Sequence, residues 1–104
     1  METPNFREPF KNDLTRIFAN LAKNKTNIVL GDIQKETFKY AYTMCTELDK
    51  QSGGLLTSKM TLDITNQVCD VVDMFFPVFK NSKNMRALTI EQTTSKVEKY
   101  LEEK

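Results

Sequence analysis

One stretch constrains this chain more than any other. From residue 57 to residue 80, Met60, Ile64, Val68, Val72, Phe75 and Phe79 recur in steps of three and four. Asp63, Asn66, Asp70, Asp73, Pro77 and Lys80 recur with the same steps on the opposite side. A strand alternates every two residues, so only a helix puts all six apolar side chains on one face. The expectation is a helix half sunk in a core, with Val68 and Phe75 among its most buried residues. Pro77, inside "VVDMFFPVFK", falls on the solvent side. Its missing N–H leaves the carbonyl of Asp73 to water, and its ring bends the helix outward. The reading is a third helix continuing to Lys80 with a kink at Pro77, with a helix that ends near Pro77, at Phe76, as the competing one.

Three further segments carry helical periodicity. In the first, residues 9–23, Phe10, Leu14, Ile17, Phe18 and Leu21 fall on one narrow stripe, and Pro9 suits a first turn. "IVLG" then reads as a short extended piece or an inward-packed loop. In the second, residues 32–50, Ile33, Tyr40, Ala41, Met44 and Leu48 line the main face. Asp32 is its expected cap, and the glycines of "SGG" suit a left-handed end. In the last, residues 89–103, Ile90, Thr94, Val97 and Leu101 make a thin stripe, and Thr89 and Gln92 have capping-box spacing. Four helices with short connections favour antiparallel neighbours. The expected fold is all-α, a small antiparallel four-helix bundle, with an irregular orthogonal bundle as the alternative. Residues 1–104 read as a single helical domain, with 1–8 as an N-terminal arm.

The chemistry available is narrow. A net charge of +1 gives no global field toward nucleic acid or an anionic membrane, so an electrostatic site must be local. The chain has no His, which removes the commonest general base and metal ligand. Cys45 and Cys69 are too few for a zinc site, and nothing beyond their number points to an oxidising compartment. "METPNFREPF" has no apolar h-region, so it does not read as a secretory signal. Asn24-Lys25-Thr26 then matches a glycosylation sequon by chance. No run approaches the length of a membrane span. The expected location is intracellular, cytoplasmic or nuclear, with reduced thiols. Asp63, Asp70 and Asp73 read as a solvated helix face, and "SGGLLTSK" lacks phosphate-loop spacing. No catalytic residue, metal site or cofactor is assigned, and no enzymatic activity is expected.

Two binding readings remain. The first is a protein-protein interaction module, either a homodimer or a small subunit of a larger assembly. It rests on a second apolar face across the middle two helices: Phe38, Tyr42 and Cys45 on one, Leu62, Cys69 and Phe76 on the other. The outer helices, with their thin stripes, offer little to cover both sides of that hairpin. The alternative is nucleic-acid or other polyanion binding. The first and third connections of an up-down bundle share one end, which gathers Lys23, Lys25, Lys80, Lys83 and Arg86 into a basic pole. A carrier of apolar ligands, suggested by five Met and seven Phe, ranks last because such residues usually fill cores.

Overall fold

The computed structural model describes residues 3–104. Its elements are α1 (Arg7–Asn24), α2 (Leu30–Gln51), α3 (Ser58–Phe75), the one-turn α4 (Pro77–Lys80) and α5 (Lys83–Glu102), with no strand among the described residues. The four long helices alternate in direction, as the short connections predict. No helix among the described residues is long and apolar enough to cross a membrane.

α2 and α3 form the central hairpin. α5 packs along both of them, whereas α1 packs on α3 and sets Phe10 edge-on against Tyr40 of α2. Asp70 lies on the outward ridge of α3. Arg7 reaches it from the α1 side, next to Gln67, and Arg86 reaches it from the α5 side, next to Asn66. α1 and α5 therefore cover opposite faces of the hairpin. Leu14, Ile33, Ile64, Val68, Val72 and Val97 are buried in the core between them. Each such side chain contributes about 1.5–3 kcal/mol of burial free energy, set against the entropy of ordering the chain.

At Pro77 the helix stops; it does not kink. Phe76 is extended (φ −131°, ψ 95°), and its N–H closes the last turn on the Val72 carbonyl at 2.9 Å. A residue before proline is pushed out of the helical region by the ring's Cδ, and Pro77 is preorganised to open the next helix. This corrects the burial order. Phe79, carried on α4, is fully buried, while Phe75 is only half-buried at the end of α3.

The start of α3 is capped by Thr57, whose hydroxyl accepts the Met60 N–H at 3.1 Å. α2 begins at Leu30, two residues before its expected start, so "LG" of "IVLG" is helical. Asp32 reaches back from inside the first turn and accepts the Val29 N–H at 3.0 Å. Gly53 and Gly54 follow α2 with φ of 72° and 87°, the left-handed geometry that glycine adopts without Cβ strain. Of the expected arm, Met1 and Glu2 lie outside the described residues. Thr3 donates to Asp63, Gln67 bridges Pro4 and Phe6, and Arg7 already begins α1.

α5 departs furthest from expectation. It starts at Lys83, six residues before residue 89, and its buried stripe is Thr89, Thr93 and Val97. Ile90 and Thr94 lie beside that stripe and are half-buried. Thr89 does not cap the helix. Its hydroxyl donates to the Met85 carbonyl at 2.7 Å and accepts from Gln34 Nε2 at 3.3 Å, and Gln34 also donates to Gln92 Oε1 at 2.9 Å. Side chains this short let α5 approach the hairpin closely.

Candidate functional site

The six residues of the expected second apolar face do not form one surface. Cys45 and Cys69 are fully buried, Cys69 near Arg86 of α5, and burial pushes both thiols up to about 12. Cys45 Sγ donates weakly to the Thr61 carbonyl at 3.9 Å; both cysteines are free thiols, not a disulfide. Phe76 packs edge-on against Phe18 of α1, with ring centroids 4.7 Å apart. Tyr42 is half-buried against the core. Leu62 stands alone on the outward side of α3, 43 % exposed. Only Phe38 opens onto a groove. The thin stripes of the outer helices therefore do cover both hairpin faces, because α5 covers its side by proximity.

The basic pole is likewise divided. Arg86 turns inward, 2.8 Å from both Asp70 and Asp73, with a further hydrogen bond to Asn66 Oδ1 at 3.1 Å. Lys25 closes on Asp32 at 2.6 Å and holds that carboxyl below its ordinary pKa. Lys23, Lys80 and Lys83 remain exposed at the shared end of the bundle, and no ion pair links them to a carboxylate among the described residues. Asp73 is within electrostatic reach of Lys80.

The acidic ridge of α3 is a structural clamp. Asp63 takes Lys59 at 2.9 Å, and Asp70 takes Arg7 at 2.7 Å besides Arg86. Burial works against the Asp70 charge, but its two arginines outweigh burial and hold the pKa below the carboxylate range. For Asp73 burial wins and the pKa rises; its Oδ1 is buried without a hydrogen-bond partner. Among the described residues no group of three or more acids or cysteines is arranged to hold a metal ion.

Two concavities bear on these faces. The apolar hollow lined by Phe6, Phe10, Met44, Leu48 and Ile64 is about 90 Å³, well below the roughly 300 Å³ at which ligand pockets usually begin. The second is a shallow groove of about 500 Å³ between α2 and α5. Phe38 lies on its α2 side; Leu88, Glu91, Ser95 and Lys99 line its α5 side. Leu88 is 38 % exposed. Glu91, Lys96 and Lys99 have no ion-pair partner among the described residues. The spacing of 88, 91, 95 and 99 is a helical face in its own right, legible only once α5 is begun before residue 89. No family model matches the chain, and no curated protein or solved structure shows significant similarity to it.

Proposed function

We propose that this chain is a non-enzymatic protein-protein interaction module, a small subunit that docks its partner along the α2/α5 groove. The observation that carries the reading is Phe38 beside Leu88, an aromatic and an exposed aliphatic side chain flanked by charges with no internal partner. Aromatic anchors ringed by polar groups are where interfaces concentrate their binding energy. The reading keeps the chain inside the cell, where reduced thiols such as Cys45 and Cys69 are the rule. The test compares the parent with a Phe38→Glu, Leu88→Glu double variant. The variant should keep its helical circular dichroism and lose a partner that the parent retains from its own cells. An identical set of retained proteins would remove the groove from consideration.

A second reading has its own observation. Lys23, Lys80 and Lys83 are exposed at one end of the bundle without ion pairs among the described residues. Phosphate binding by such a trio would weaken steeply with salt. Retention on heparin that falls with salt, and that vanishes when all three become Glu, supports it. A parent that passes through heparin at low salt removes it.

A further inference from the structure

The charges along the groove point to its occupant. On α5, Leu88, Glu91, Ser95, Lys99 and Glu102 are exposed and recur in steps of three and four, opposite the buried Thr89, Thr93 and Val97. Glu91 lies four residues before Ser95 and Lys99 four residues after it. Opposite charges thus sit symmetrically about a small side chain. Neither is spent on an ion pair among the described residues.

From this pattern we infer that the occupant is a second copy of this chain, packed two-fold with its α5 antiparallel to this one and the helices crossing at Ser95. The inference rests on the groove being a docking surface and adds what docks there. A two-fold contact must be self-complementary. With Ser95 against Ser95, Glu91 meets Lys99 of the second copy, and Lys99 meets its Glu91. In the same register Glu98 falls against the neutral Gln92, and Leu88 falls against Glu102, whose methylene stem it covers. A parallel copy would instead place Glu91 on Glu91 and Lys99 on Lys99, so the charges also select the direction. The short Ser95 side chain lets the helices approach closely at the crossing. Phe38 supplies an apolar wall beside the seam.

Multi-angle light scattering over a concentration series tests this with five samples. The parent should approach twice the 12.0 kDa chain mass. Glu91→Lys alone and Lys99→Glu alone each set like charges together at both contacts. Each should keep its circular dichroism and self-associate at least about tenfold more weakly. An equimolar mixture of the two should regain the dimer mass, because every contact then pairs Lys with Glu. The Glu91→Lys, Lys99→Glu double variant should dimerise by itself. A parent that stays monomeric at every concentration overturns the inference. So does a dimer that neither single reversal weakens, or a mixture that stays monomeric. A monomeric parent that still loses a cellular partner on Phe38→Glu, Leu88→Glu would overturn the second copy alone and leave the groove standing.

Discussion

α1 and α5 cover opposite faces of the same hairpin by opposite means. α1 brings bulk: Phe10, Leu14 and Phe18 are buried, and three aromatic contacts run from Phe6–Phe10 through Phe10–Tyr40 to Phe18–Phe76. α5 brings proximity. Its buried stripe has two threonines and a valine, and polar ties hold it along its length. Arg86 clamps Asp70 and Asp73 near its start, and Gln34 joins Thr89 and Gln92. Just beyond its end, Lys104 meets the buried Asp49 at 2.7 Å. The lesson is that a helix face with little apolar area can still close a core. Thr89 finds its hydroxyl two partners there, and Arg86 and the buried Asp49 find their opposites, whereas Thr93 is buried with its hydroxyl unpaired.

The difference should appear first in truncations. Leu14→Ala empties a fully buried site in the apolar cover. It should cost about 2–5 kcal/mol in urea unfolding, a large part of so small a domain's stability. A cost well below that range would mean α1 is not the bulky cover described. Arg86→Met acts on the polar cover. It leaves Asp70 with Arg7 alone and Asp73 without its guanidinium, which should cost about 1–3 kcal/mol, read in the same unfolding series.

Lys104→Ala should cost less and reveal itself through pH. The Lys104 ammonium, ahead of the Leu56 N–H, holds the Asp49 pKa below its ordinary value although burial opposes it. A lowered folded-state pKa supplies stability above the unfolded carboxylate value of about 4, lost as pH falls through the lowered value. Lys104→Ala should therefore flatten the acid limb of the stability curve. Asp73 carries the reverse sign. Burial raises its pKa, so its charge costs stability at neutral pH, and that cost is relieved as pH falls through the raised value. An acid limb identical in parent and Lys104→Ala would remove the latch.

The smallest effect is the sharpest discriminator. Thr93 is fully buried and its hydroxyl has no hydrogen-bond partner. Thr93→Val keeps the shape and removes the unpaired group, so it should raise stability by about 1 kcal/mol. Thr89→Val, four residues earlier, removes a hydroxyl bonded to both Met85 and Gln34 and should lower it. Equal effects at the two sites would mean that α5 does not lie in this register.

The first three helices were legible because their cores are built from large apolar side chains at helical spacing: Leu14, Ile33 and Val68 all fall where periodicity puts them. Phe75 was misjudged because the steric effect of Pro77 acts on Phe76 and ends the helix. α5 was blurred because a threonine whose hydroxyl returns to its own helix packs like a small apolar residue but counts as polar in a pattern. Arg86 read as a free cation because its partners, Asp70 and Asp73, lie on another helix, and their meeting depends on where α5 docks. The Phe38 groove depends on the same docking, so the sequence marks only Phe38 among its residues as a partner-binding candidate.

Cys45 and Cys69 report directly on whether the second hairpin face is closed. Both are fully buried in the α2/α3 hairpin, on the helix faces that Gln34 and Asp70 tie to α5, and the chain has no other cysteine. Thiol labelling of the folded protein measures that closure without a mutation. The account predicts two thiols that react only at the slow rate of opening, both becoming fast in denaturant, with Arg86→Met speeding Cys69 more than Cys45 in the folded state. Rapid stoichiometric labelling of either cysteine in the folded parent would show that α5 does not cover the face, and would contradict the account at its centre.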